Sequence, residues 1–418
     1  MMGVLTAKAL GIFVLTYFFI SFPKVRWFHL DRPSGALLGA VLMVLLGVVT
    51  LEEAYRLIDF NTITLLLGMM ILIAYFEIAH FFDWLSGHLM GHAHKPLSLF
   101  WALVFISGFL SAIFVNDTVC LMLTPLLVKT LKRARLNPVP FLLALCTSSN
   151  VGSVMTLTGN PQNMIIGIHS DWSYHSFFFL MLPIALIGLV LNGLVIYMFY
   201  KKELRERRTP MTFHFSFLEL DKWLTVKASA VLLMVLILFV TTRNLPLAAI
   251  MGGSLMLLVG GRKPAEAFQN VDWTLLLFFA GLFIVVGGMA KTGLPQFFYE
   301  KLEPFLKGVF LGQMGFFSVF SLLGSNLVSN VPFVLLAVQW VPRFEQSHWM
   351  WLVLAMSSTF AGNLTIVGSV ANMIVLEASK DEVFVGFWEF FRVGILTTIL
   401  SIAVGVSFIG FYSLFLRS

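Results

Sequence analysis

Two short polar segments sit inside apolar stretches of this chain, and their residue types suit the binding of an ion or small solute. The first is Asn116-Asp117-Thr118, near the middle of an apolar segment over 97–128. A carboxylate at bilayer depth costs about 2.5–3.5 kcal/mol on insertion scales, so it requires a proton, a cation or donor groups. Asp117 is therefore the candidate for proton or ion coupling. Capping of the following helix, helped by Asn116 and Thr118, is a compatible structural role. The second segment runs from Ser148 to Asn163, between apolar runs 141–147 and 164–168. Its hydroxyls, amides, glycines and Pro161 predict an interrupted helix. Irregular backbone at membrane depth is tolerated only where it is buried in protein or lines a wet cavity. Pro161 suits the first position of a new half-helix and Asn160 its cap, leaving Asn163 and free N–H groups to face a ligand. A kinked helix with tightly packed small residues is the alternative.

The elements that position these segments come in pairs. Glu53, Ala54, Asp59 and Gly68 recur without a gap as Glu266, Ala267, Asp272 and Gly281. Thr156, Gly159, Asn160 and Asn163 recur as Thr365, Gly368, Ser369 and Asn372. A second apolar segment over 312–341 contains Ser329-Asn330-Val331-Pro332, so that Asn116 matches Asn330 while Asp117 matches Val331. The amide repeats and the charge does not. Spans are expected over about 4–22, 34–50, 61–80, 141–168, 177–200, 223–241, 245–260, 273–290, 350–376 and 388–413. The first reads as a retained helix, not a signal peptide. Segments 97–128 and 312–341 are each two spans or one re-entrant hairpin. An odd number of crossings separates 34–50 from 245–260, which inverts the second half. Paired, inverted halves with broken helices are the mark of a secondary transporter. The expected organisation is a first repeat over 1–200 with hairpin 97–128 and broken helix 141–168. A cytoplasmic linker at 201–222 follows, then a second repeat over 223–418 with hairpin 312–341 and broken helix 350–376.

Composition excludes a soluble enzyme. The chain is 59% hydrophobic and 11% charged, against about 25% charged in soluble domains. The net charge of +6 does not point to nucleic acid, because the basic residues sit in short loops. Placing loops 23–33, 129–140, 201–222 and 261–270 in the cytoplasm collects most of them there. Hairpin one then enters from the cytoplasm, hairpin two from outside, and both termini lie outside. Cys120 and Cys146 lie in apolar context and imply no disulfide; they read as small buried residues rather than soft ligands. His88, His92 and His94 lack a second ligand set, so a solvated loop is favoured over a metal site. Glu77 is expected to reach the cytoplasmic interface. Neither a nucleophile–base pair nor a metal cluster stands at the breaks, so no enzymatic role and no cofactor is expected. A channel would need a continuous lumen rather than paired breaks.

The stretches Val115-Asn116-Asp117-Thr118, Thr124-Pro125, Ser148 through Ser153, Gly159-Asn160-Pro161-Gln162-Asn163, Ser329 through Pro332 and Gly362-Asn363 resemble the ion transporter superfamily, most closely its arsenite/antimonite permease branch. The resemblance covers nearly the whole chain. It implies an all-α integral membrane protein of inverted repeats, with two re-entrant hairpins and two discontinuous helices, working by an elevator motion in a multi-pass prokaryotic plasma membrane. It further implies export of arsenite or antimonite in exchange for protons, with a homodimer and a soluble ATPase subunit as partners known in that group. Sodium-coupled anion or dicarboxylate symport and sodium/proton antiport in the same superfamily are the alternatives. No Arg or Lys lies in either polar break, and an anion at tip one would face Asp117. A neutral acid such as As(OH)3 suits that setting better. The expected substrate contacts are Asn116, Thr118, Ser148, Asn150, Thr156, Asn160, Asn163, Asn330, Asn363 and Thr365, with Asp117 coupling.

Overall fold

The computed structural model describes residues 2–21, 24–25, 28–29, 31–92, 95–205, 219–242, 244–306 and 308–415. His94 and part of the 201–222 loop lie outside them. The described residues are helical almost throughout, apart from one antiparallel ladder between β1 (Lys24–Val25) and β2 (Phe28–His29). Among the described residues, eight helices are long and apolar enough to cross a membrane. Large side chains such as Leu258 and Phe384 are more than four-fifths exposed, as expected where lipid rather than water surrounds the protein.

The helices of the first half are α1 (Met2–Ser21), α2 (Arg32–Leu45), α3 (Leu51–Leu57), α4 (Phe60–Ile78), α5 (Phe81–His92), α6 (Pro96–Phe114), α7 (Asn116–Arg133), α8 (Val139–Ser153), α9 (Pro161–His169) and α10 (Tyr174–Arg205). Those of the second half are α11 (Lys222–Thr241), α12 (Leu245–Val259), α13 (Pro264–Gln269), α14 (Trp273–Lys291), α15 (Leu294–Leu302), α16 (Phe310–Val328), α17 (Asn330–Ala337), α18 (Ser347–Ala361), α19 (Val370–Ser379) and α20 (Phe387–Phe415). Their contacts pair in the same way. Helix α4 packs on α12 as α14 packs on α2, α6 on α8 as α16 on α18, and α7 on α19 as α17 on α9.

The repeated acids of the sequence explain part of this order. Asp59 and Asp272 cap α4 and α14, accepting from Asn61 N and Leu275 N, and so satisfy donors that a helix start leaves open. Gly68 and Gly281 are the crossing points. A Cβ on Gly68 would lie 2.4 Å from the Ala249 carbonyl carbon of α12, and one on Gly281 2.8 Å from that of Ala36 in α2. The same two glycines therefore let two equivalent helix pairs approach to backbone contact. Helices α1, α2, α4, α11, α12 and α14 make one body this way. Both polar segments belong to a second, built from α6–α10 and α16–α20.

Candidate functional site

Each hairpin reverses on one residue with a positive φ. Val115 (φ 67°) joins α6 to α7, and Ser329 (φ 73°) joins α16 to α17. A β-branched residue rarely adopts that region. Strain of this kind persists only where surrounding contacts hold it, and it clusters at functional sites. The contacts here are clear: the Asn116 amide donates to Gly159 O at 3.0 Å, tying tip one to the break between α8 and α9.

The first break is shorter than the composition suggests. Ser148 through Ser153 stay helical, and only 154–160 leave the helix. Ser153 turns back on its own helix, donating to Asn150 O (2.8 Å), as Thr147 just before this stretch donates to Leu143 O (2.6 Å); such back-bonding is the usual fate of Ser and Thr within helices. Gly159 is required by space, since a Cβ there would lie 2.1 Å from Ser153 O. Asn160 caps α9 by accepting from Asn163 N at 2.8 Å, with Pro161 at the first position.

Asn163 and Asn372 do the same work in the two halves. Asn163 Nδ2 donates to Thr156 O (2.9 Å) and Ser153 O (3.4 Å). Asn372 Nδ2 donates to Thr365 O (3.1 Å) and Gly362 O (2.6 Å). Both clip the carbonyls that their break frees from helical bonding, which a buried backbone demands. The threonines of the breaks are structural too: Thr156 donates to Ala112 O (2.6 Å) and Thr365 to Asn326 Oδ1 (2.8 Å), each fastening its break to the first arm of its hairpin.

Asn150 joins the halves. Its Nδ2 donates to Asn363 Oδ1 (2.9 Å) and Asn372 Oδ1 (3.0 Å), while its Oδ1 accepts from Asn116 Nδ2 (3.0 Å) and Ser369 Oγ (3.0 Å). This chain of amides has a direction. Backbone carbonyls can only accept, so they orient Asn372, which orients Asn150, which orients Asn116. The last acceptor, Asn116 Oδ1, is buried and has no hydrogen-bond partner among the described residues. At tip two, Asn330 satisfies its bonding when its amide nitrogen donates to Gly368 O (2.9 Å) and Ser358 O (3.2 Å).

The two tips and the starts of α9 and α19 enclose a small cavity of ≈ 20 Å³, lined by Asn116, Asp117, Gln162, Ser329, Asn330 and Ser369 among others. That is room for about one water molecule. Asp117 also lines a larger cavity of ≈ 320 Å³, together with Thr118, Glu77 and Asp272. Asp117 and Leu275 line both cavities. Asp117 lies beside the Ala371 amide in the first turn of α19, with Arg32 and Asp272 as charged neighbours.

The expected site residues divide accordingly. Asn116, Asn150, Asn330 and Asn363 meet around the tips, and Asp117 and Thr118 face cavities. Asn160, Asn163, Thr156 and Thr365 hold the breaks in shape. Ser148 faces α10, accepting from Asn192 Nδ2 at 2.8 Å. One residue on along a helix, Ser149 faces the hairpin instead, donating to Asn116 O at 3.1 Å. Glu77 lines the larger cavity. Cys120 and Cys146 are buried. His88 stacks on Trp84, and among the described residues no group of His, Cys, Asp or Glu is placed to hold a metal. Two contributors escaped sequence reasoning. Asn372 was signalled by its match to Asn163. Arg32 carried no signal, being one basic residue at a helix start far from either break.

Comparison with known proteins agrees with this architecture. A family model described as CitMHS, citrate transporter, matches residues 17–357. The silicon efflux transporter LSI3 of Oryza sativa subsp. japonica is 30% identical over 97% of each chain. A 46 kDa membrane protein of Mycobacterium leprae is 30% identical over 95% of this chain and 96% of its own. A Dictyostelium discoideum transporter whose name carries arsB is 27% identical over 94% and 90%. The crystal structure of the Alcanivorax borkumensis YdaH transporter shares the fold, with a TM-score of 0.60 at 12% identity over 100% of this chain and 98% of that one. Broken helices, paired hairpins and these relatives lead to one conclusion: the chain is a multi-pass membrane transporter belonging to the CitMHS citrate transporter family.

Proposed function

We propose that this transporter exports a small uncharged metalloid acid, arsenite or antimonite, in exchange for protons. The observation that carries the reading is an open acceptor beside a carboxylate at tip one. Asn116 Oδ1 is buried without a hydrogen-bond partner among the described residues, and the Asp117 carboxylate lines the same cavity. Buried polar groups left unpaired call for a ligand or water. A ligand rich in O–H donors, such as As(OH)3, satisfies both acceptors, whereas an anion adds a third acceptor and a like charge. The rice relative is named for silicon efflux and the Dictyostelium relative carries arsB in its name; silicic and arsenous acids are both neutral hydroxides near pH 7.

Asp117 alternates between a proton and the substrate in this scheme. The ≈ 320 Å³ cavity has room for a small acid, and the ≈ 20 Å³ space between the tips does not, so the tips must part for loading. The second body, carrying hairpins and breaks, slides against the six-helix body in an elevator motion. The larger cavity opens toward the face of loop 261–270, the cytoplasm under the positive-inside assignment. Uptake of a carboxylate with sodium is the second reading, favoured by the family's citrate description. Everted vesicles separate the two. Proton-driven arsenite uptake that vanishes in Asp117→Asn is expected. Uptake undiminished in that variant refutes the coupling role, and sodium-driven citrate transport without arsenite transport replaces the proposal by the second reading.

A further inference from the structure

Arg32 opens α2 in the six-helix body, yet its guanidinium reaches the second body. Nη2 lies 3.0 Å from Met373 Sδ in the first turns of α19. Nη1 is buried and has no hydrogen-bond partner among the described residues. A thioether is a weak acceptor, so Met373 leaves the charge poorly compensated. The opposite charge at hand is Asp117, which stands by Ala371, two residues before Met373 on the same helix. The pairing is one-sided. After the matched caps Asp31 and Asn244, the counterpart of Arg32 is Leu245, just as the counterpart of Asp117 is Val331.

We propose that Arg32 and Asp117 form a charge pair across the boundary between the two bodies, and that this pair latches the transporter in the conformation described above. The inference rests on the coupling role given to Asp117. While that carboxylate is charged, attraction in a poorly hydrated setting holds tip one and α19 against α2. A proton arriving from the larger cavity binds the carboxylate, removes the attraction and frees the second body to slide. Arg32 is a positioning residue in this scheme and touches no substrate.

Other ionisable groups surround the pair. Asp272 of α14 is occupied as a cap, accepting from Leu275 N. Glu77 of α4 shares the cavity wall, with Asp83 of α5 near it. Cys120 on α7 itself and Cys146 on α8 are buried thiols. Glu377, farther along α19, pairs with Lys380. Helix α6 carries no ionisable side chain.

The test labels a cysteine at Met122, which lines the larger cavity, with an impermeant maleimide in everted vesicles. The full chain is used with Cys120 and Cys146 replaced by Ala. Divided by the rate at a solvent-exposed reference cysteine, which removes the thiol's own ionisation, the labelling rate with Arg32 present should rise about fivefold or more with pH, as Asp117 ionises and the latch closes. Arg32→Gln should flatten that profile and Arg32→Lys should restore a slope. Should Arg32→Gln not reach the membrane, Asp117→Asn carries the same expectation of a flat profile. An unchanged pH slope in either neutral variant overturns the latch. The labelling does not depend on substrate, so a latch that works in a protein lacking arsenite transport overturns the proposed function alone.

Discussion

Replacing Asn150 tests the amide chain that joins the two halves. Four hydrogen bonds end on this one side chain, two given and two accepted, and the residue is buried. A neutral intramolecular bond contributes about 1 kcal/mol net, so Asn150→Leu should remove about 4 kcal/mol before the cost of its orphaned partners. At about 2 °C per kcal/mol, the low end for larger domains, the melting temperature in detergent should fall by about 8 °C. Asn150→Asp keeps the shape and replaces the donor by an acceptor facing Asn363 Oδ1 and Asn372 Oδ1. It should be at least as damaging, which separates bonding from packing. A double-mutant cycle with Asn372→Leu should return a coupling of about 0.5–3 kcal/mol. Fluorescence-detected melting of the purified variants checks all three. A melting temperature within a degree or two of wild type for Asn150→Leu, with additive behaviour in the cycle, would refute the chain as a structural link.

Other outcomes follow from the same geometry. Ser148→Ala should retain transport and lose only about 1 kcal/mol of stability, because its bond is to Asn192; loss of vesicle transport at normal stability would return Ser148 to the site. Gly68→Val and Gly281→Val each force a side chain into a neighbouring backbone, so neither should yield a monodisperse peak in size-exclusion chromatography. Outside the spans, the Leu224 amide and then Arg262 hold the Asp221 carboxyl below its ordinary range, and Lys291 does so for Glu53. A carboxylate with a depressed folded value stabilises above its unfolded value and loses that effect as pH falls through the folded one. Acid below about pH 4 should therefore weaken the α11 cap and the α3–α14 contact. In Asp221→Asn, the acid-dependent part of the melting curve should shrink by no more than about 1 kcal/mol.

Much of the fold is legible without coordinates because its signals are local. Hydropathy marks the long spans, since lipid accepts only helices whose backbone bonds are internal. Gly159, Pro161 and Asn160 mark the first break because each acts on its own turn of chain. The same reasoning misjudged 148–153, where Ser153 bonds to its own helix, Ser149 to the hairpin and Ser148 to α10, leaving the helix whole. It did not foresee that the broken backbone takes up the amide nitrogen of Asn163.

What the chain determines by itself is a pair of related, interrupted apolar halves with one unmatched acid, Asp117, at a hairpin tip. Tertiary structure alone decided how that acid is surrounded. Asn150 meets Asn372 at 3.0 Å although more than 200 positions separate them, and Arg32 comes to Asp117 from the other body. Such neighbours arise when helices cross, and residue order carries no trace of which side chains a crossing will bring together.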